Sequence, residues 1–302
     1  MRNGQSKSLM LINDMCGYGK VALAAMIPIL SRLKHQVFQL PTALVSNTLD
    51  YGTFDILETT GYMKNAIGCW EQLGFDFDAV ATGFLVSEEQ TALVADFCRD
   101  RRARGAKVFV DPIMGDEGKL YNGVTEATVG YMRSMCGVAH VIMPNFTEAA
   151  FLTGLFCDRV MDPAGLTRAE ALELVEALAK LGCESVVVTS CPVEGGNATL
   201  VYAAEHEGGE RELTVLPYEE VPVHFPGTGD MFSAVLIGGV LAGGDLVACT
   251  QVAMDCVREL ISANRDNEDK NKGIPLELYL DAIAERVEAA LVPAAAGAEG
   301  GC

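Results

Sequence analysis

The chain has 302 residues, a formal net charge of −19, 50% hydrophobic residues and 21% charged residues. That balance fits a compact globule and argues against disorder, while the acidic excess argues against nucleic acid or anionic membranes as partners. No apolar run is long and charge-free enough to span a bilayer, and Leu9-Met10-Leu11-Ile12 is too short for the core of a signal peptide, so a cytoplasmic protein is expected.

In chain order, β-rich runs at 8–12, 37–40, 79–82, 108–110, 140–143 and 186–189 alternate with amphipathic stretches at 20–33, 61–73, 88–102, 126–135, 147–153 and 168–181. Strands spaced by helices predict an α/β fold, with a mostly parallel central sheet and helices on both faces. Beyond residue 190 the pattern changes. The runs 198–204 and 212–216 predict a hairpin, 218–226 a loop, and 228–242, 246–264 and 275–291 three helices. Residues 1–292 are expected to form one domain, and the low-complexity tail 293–302 to be disordered.

In such sheets ligands sit outside the carboxyl ends of the strands. That draws attention to Asn13 and Asp14, Ser46 and Asn47, Gly83 and Phe84, Asp111, Asn145, and Thr189 and Ser190. The most informative segment lies further on, where Phe225-Pro226-Gly227-Thr228-Gly229-Asp230 runs straight into an apolar helix. Glycines let a ligand approach the backbone, and the free N–H groups and positive dipole end of the helix suit a phosphate. Asp230 in the first turn adds a candidate general base beside that anion hole. Taken alone, the segment reads equally well as an ordinary capped loop.

Asp111-Pro112-Ile113-Met114-Gly115-Asp116 closes a strand with two carboxylates, and Asn145-Phe146-Thr147-Glu148 opens a helix. They read either as a solvated turn and a partial capping box, or as groups converging on hydrated magnesium, which takes few direct protein ligands. The P-loop and dinucleotide fingerprints are absent, and Gly17-Tyr18-Gly19-Lys20 has the wrong spacing for either. The ten cysteines form no Cys-x-x-Cys pair and the four histidines show no metal-ligand spacing. A zinc ribbon, a thioredoxin-like motif and His-based hydrolysis are therefore unsupported, and reduced, buried thiols are expected.

In these motifs the chain resembles the ribokinase superfamily, in which Asp-Pro-x-Met-Gly-Asp, Asn-x-x-Glu, Thr-Ser and Gly-Thr-Gly-Asp follow one another in this order. The stretches Ile12-Asn13-Asp14-Met15-Cys16-Gly17-Tyr18-Gly19, Leu40-Pro41-Thr42-Ala43-Leu44-Val45-Ser46 and Thr82-Gly83-Phe84-Leu85 are similar to its vitamin B6 branch, the pyridoxal/pyridoxamine kinases. The resemblance spans roughly residues 8 to 265 and implies a ribokinase-like three-layer αβα fold. It further implies an ATP-dependent kinase acting on the 5'-hydroxymethyl group of a B6 vitamer. Asp230 would be the base and Gly227, Thr228 and Gly229 the anion hole. Asp111, Asn145 and Glu148 would serve magnesium. Asp116, Tyr121, Thr189, Ser190 and Phe225 would contact the nucleotide, under a covering segment at 218–226. Asn13, Asp14, Val45, Ser46, Asn47 and Phe84 would face the substrate. ATP and Mg2+, a potassium ion and a homodimer joined near residues 42–55 belong to the same expectation.

The chain departs from that branch in the substrate region. Ser46-Asn47-Thr48-Leu49-Asp50 stands where many relatives have Ser-x-His-Thr-Gly, Asn13-Asp14 where they have Gln-Ser-His or His-Asp, and Phe84 where some have Tyr. Asp14 could pair with the cationic aminomethyl group of pyridoxamine or simply cap a turn. A hydroxymethylpyrimidine kinase of the same fold and a non-catalytic B6 sensor stay open as alternatives.

Overall fold

The computed structural model describes residues 6–121, 124–204 and 209–291, so the expected tail at 293–302 lies outside the described residues. In chain order the elements are β1 (Ser8–Tyr18), α1 (Ala22–Arg32), β2 (Gln36–Asn47), β3 (Ile56–Glu58), α2 (Thr60–Leu73), β4 (Ala79–Thr82), α3 (Glu88–Ala103) and β5 (Lys107–Val110). Then follow β6 (Gly115–Asp116), β7 (Lys119–Leu120), α4 (Glu126–Cys136), β8 (Val141–Ile142), α5 (Phe146–Thr153) and α6 (Arg168–Ala179). The chain closes with β9 (Ser185–Val193), β10 (Gly196–Ala204), β11 (Arg211–Pro217), α7 (Thr228–Leu241), α8 (Leu246–Asn264) and α9 (Leu280–Ala290).

Nine strands form one sheet in the order β11-β10-β9-β8-β5-β4-β1-β2-β3, and β6 and β7 make a separate two-stranded hairpin. The pairings from β9 across to β2 are parallel. Antiparallel pairs add β10 and β11 at one edge and β3 at the other. Strand alternation divides the core between the two faces. Met10, Ile12, Val80, Val108, Val110, Val186 and Val188 pack with residues of α2 to α6. Their neighbours Leu9, Leu11, Ala79, Ala81, Phe109 and Val187 pack with α1, α7, α8 and α9. The three-layer αβα arrangement expected from the resemblance follows directly from this alternation.

The first two strands run well beyond their expected ends. Asn13-Asp14 and Pro41 read as breakers, but the pairing of β1 with β2 absorbs them in an irregularity between Asn13 and Met15 and resumes at Met15 opposite Leu44. The extensions of β1 and β2, with β3 alongside, rise past the carboxyl edge of the sheet as a flap. Thr48, the departure from the family pattern, is buried under this flap, and its hydroxyl donates to the Asn271 carbonyl at 2.5 Å. Tyr51 donates to Asp269 at 2.7 Å, so the flap is tied to the segment between α8 and α9. At the opposite, amino-terminal end of the strands, Arg101 of α3 is fully buried and donates to the carbonyl of Phe75 ahead of β4.

Candidate active site

Helix α7 opens at Gly227, whose φ of 84° is left-handed. A Cβ there would run into the Lys20 carbonyl, so both the backbone shape and the close approach demand glycine. Met231 is the first amide to bond back, to the Gly227 carbonyl, and the N–H groups ahead of it have no partner within the helix. The Thr228 hydroxyl donates to the Phe225 carbonyl at 3.2 Å, which shapes the turn and leaves those amides uncapped.

Asp230 sits in this first turn with both carboxylate oxygens held. Oδ2 accepts the Ala22 N–H at 2.7 Å and Oδ1 accepts from Asn13 Nδ2 at 3.3 Å. Burial pushes its carboxyl up to about 6, and the two hydrogen bonds pull the other way. Two more carboxylates stand nearby. Asp14 on β1 is pushed up to about 7 by burial and then by the charge of Asp230. Asp111, just past β5, is pushed up to about 7 by the same two causes and accepts a hydrogen bond from Ser233 at 3.0 Å. Among the described residues, no ion pair neutralises any of the three.

Asn145 and Glu148 form a complete capping box at the start of α5. Glu148 accepts the Asn145 N–H at 2.8 Å and the Met114 N–H at 2.9 Å, while Asn145 accepts the Glu148 N–H at 2.9 Å and donates to the Gly115 carbonyl at 2.8 Å. Burial and the charge of Asp111 raise the Glu148 carboxyl well above its ordinary value. The pair therefore braces the turn between Asp111 and Asp116, and its side chains are occupied internally. Among the described residues no group of three or more His, Cys, Asp or Glu side chains gathers to hold a metal.

The other expected residues divide. Asp116 on β6 and Tyr121 just beyond β7 are exposed beside this turn. Ser190 projects from β9 with a left-handed φ of 55°, next to the hydroxyl of Tyr218, and Thr189 bridges to Asn145. Phe225 is 1% exposed and packs in the core with α7, so it offers no surface to a nucleotide. Val45 is likewise buried, because the flap pairing turns it inward opposite Cys16. The Ser46 hydroxyl bonds Asn47 and the Asp55 N–H, and Asn47 donates to the Thr53 carbonyl, so both stitch the flap. Phe84 is half-buried and donates its N–H to Asn13.

Two participants escaped the sequence reading. Ser233 lies one helical turn after Asp230, a spacing that places both on one face and was available as a signal. The Ala22 amide carries no sequence signal, because any residue but proline supplies an N–H.

The sequence model of the phosphomethylpyrimidine kinase family matches residues 67–274, and the chain belongs to that family. Within it the chain falls on the pyridoxal kinase branch of the ribokinase superfamily, as its motifs led one to expect. A Bacteroides thetaiotaomicron protein, provisionally assigned as a phosphomethylpyrimidine kinase and crystallised with pyridoxal, is 35% identical with a TM-score of 0.81, covering 92% of this chain and 96% of its own. The pyridoxal kinase of Lactobacillus plantarum is 25% identical with a TM-score of 0.79, covering 93% and 98%. A pyridoxine/pyridoxal/pyridoxamine kinase of Bordetella avium is 30% identical over 269 residues, 78% of this chain and 83% of that one.

Proposed function

We propose that this protein is a vitamin B6 kinase that transfers the γ-phosphoryl group of ATP to the 5'-hydroxymethyl oxygen of pyridoxal, pyridoxamine or pyridoxine. The carrying observation is the Asp230 carboxylate, held by two donors in the first turn of a helix whose N–H groups are uncapped. In this reading Asp230 takes the hydroxyl proton, the alcohol oxygen bonds to the γ-phosphorus, and the bond from that phosphorus to ADP breaks. A base that titrates near pH 6 is ionised at neutral pH and suits the task. Gly227, Thr228 and Gly229 meet the charge on the transferring group, since phosphoryl transfer needs chiefly positioning and neutralisation.

Magnesium fits the hard oxygen donors here, and as a hydrated ion it needs few of them. Asp111 is the half-buried carboxylate that would hold it, with Asn145 and Glu148 bracing that turn from behind. When bound, the ion would neutralise phosphate charge beside three unpaired carboxylates. Asp116, Tyr121, Thr189 and Ser190 border the nucleotide, and Asp14, Phe84 and the flap residues Ser46 and Asn47 border the vitamer.

The same reading makes residues 1–292 one kinase domain working in the cytoplasm, with a potassium dependence checked by exchanging the monovalent salt. It also includes a homodimer. The apolar groove at the flap edge, lined by Pro41, Leu44, Leu57 and Tyr62, supports it, with Leu57 62% and Tyr62 56% exposed. Among the described residues no helix is long and apolar enough to cross a membrane. The test is ADP release with ATP and magnesium against the three B6 vitamers and hydroxymethylpyrimidine in parallel. Turnover of the vitamers is expected. Turnover of the pyrimidine alone would replace this reading with the pyrimidine kinase that the family name suggests, and binding without turnover would make the chain a sensor.

A further inference from the structure

Asn13 was expected to touch the substrate, yet its side chain is 2% exposed and fully engaged. Its Oδ1 accepts two backbone N–H groups, that of Phe84 at 2.8 Å and that of Asp14 at 3.0 Å. An oxygen must therefore lie on that side, which leaves the NH2 group on the other side, 3.3 Å from Asp230 Oδ1. Gly83 closes the cage, because a Cβ there would stand 2.5 Å from Asn13 Nδ2. Only a neutral carboxamide satisfies all of these contacts. A carboxylate would face Asp230 with like charge, and an alkyl group would leave two buried N–H groups without an acceptor.

We infer that Asn13 is a positioning residue for the reaction: it anchors the strand-β1 irregularity to the loop after β4 and, through its amide, aims the Asp230 carboxylate at the substrate hydroxyl. The inference rests on the kinase reading above. The other titratable groups around Asp230 are Asp14 and Cys16 from β1, Asp111 from the end of β5, and Tyr121. None of them donates a hydrogen bond to Asp230 among the described residues, so Asn13 and the Ala22 amide alone set its orientation.

The test compares Asn13→Ala, Asn13→Asp and Gly83→Ala with the wild-type chain, after thermal melts establish that each is folded. Asn13→Asp keeps an acceptor for the Phe84 and Asp14 amides, so it reports even where Asn13→Ala fails to fold. Gly83→Ala disturbs Asn13 without replacing it. A lost hydrogen bond to a charged group corresponds to roughly 10- to 100-fold in kcat. That loss is expected in both Asn13 variants, with the KM values for pyridoxal and ATP nearly unchanged and the acid limb of the kcat profile moved to higher pH. Gly83→Ala should change kcat in the same direction. A raised KM for the vitamer at unchanged kcat would make Asn13 a substrate contact and overturn the inference. A readout independent of turnover is the carboxyl 13C resonance of Asp230, identified by its loss in Asp230→Asn. It should titrate at higher pH in Asn13→Ala than in wild type, and an unmoved titration would also overturn the inference. If the wild-type chain phosphorylates no vitamer, the kinase reading fails while this titration still decides the role of Asn13.

Discussion

The two ends of the central strands treat charge in opposite ways. At the amino-terminal end Arg101 has a fully buried side chain, 4.8 Å from the Phe97 ring centre, with Asp100 and Glu71 beside it and the Phe75 carbonyl and Asp76 carboxylate as hydrogen-bond partners. At the carboxyl-terminal end Asp14 and Asp111 each feel the charge of Asp230, and among the described residues no ion pair neutralises any of the three. The first arrangement brings the loop before β4 and the end of α3 together and serves the fold. The second is unfavourable for the fold, because burial and like charge both disfavour the ionised carboxylates. Substitutions at the two ends should move stability in opposite directions, and only those at the carboxyl-terminal end should change turnover.

The largest expected effect is on turnover. Asp230→Asn should lower kcat on the order of 10²- to 10⁴-fold with little change in ATP affinity, as removal of a general base does. An unaffected rate would dissolve the functional half of the comparison. Next comes stability. Arg101→Ala removes a packed stem, a cation over a ring and two hydrogen bonds, and should cost about 3 kcal/mol in denaturant unfolding while leaving kcat at 25 °C intact. A neutral result would mean that the buried charge contributes nothing net.

The carboxylate end should show the opposite sign. Asp111→Asn and Asp230→Asn are each expected to raise the Tm of the ligand-free protein by a few degrees at pH 8, because each removes an unpaired charge from a crowded site. The pH dependence follows from the same cause. Asp14 and Asp111 titrate near 7 and Asp230 near 6 in the fold, against 3.8 for the ordinary carboxyl. The folded state therefore holds more protons than the unfolded chain between about pH 4 and 7, and stability falls as pH rises through that window. Asp78, at the amino-terminal end, behaves the other way. The Ser8 N–H holds its carboxyl below the ordinary value, so its contribution is lost as pH falls. A Tm maximum on the acid side of neutrality is expected, and a Tm that climbed steadily to pH 8 would count against the comparison.

The smallest expected effect concerns selectivity. Asp14→Asn should reduce kcat/KM for pyridoxamine relative to pyridoxal by up to about 10-fold, if its half-buried carboxylate meets the aminomethyl cation. An unchanged ratio would leave Asp14 as a structural member of the acidic cluster.

Much of this molecule was determined by the sequence alone. Short uninterrupted apolar runs spaced by amphipathic stretches dictate buried parallel strands and two helical layers, because each face of such a sheet must meet apolar cover. Gly227 before an apolar helix with Asp230 in its first turn marks the start of that helix, since both features are local in the chain. The tertiary structure decided what local signals cannot carry. Pro41 and Asn13-Asp14 look like strand ends, and only the mutual pairing of β1 and β2 carries the flap past them. Phe225 adjoins the functional loop in sequence, yet the core claims it. Asn145 and Glu148 can cap a helix or serve a metal with the same spacing, and the neighbouring Met114 and Gly115 backbone occupies them. Asn13 and Asp230 stand 217 positions apart, and their meeting depends on packing α7 against α1, which in turn lies on β1, long-range contacts that no window of sequence encodes.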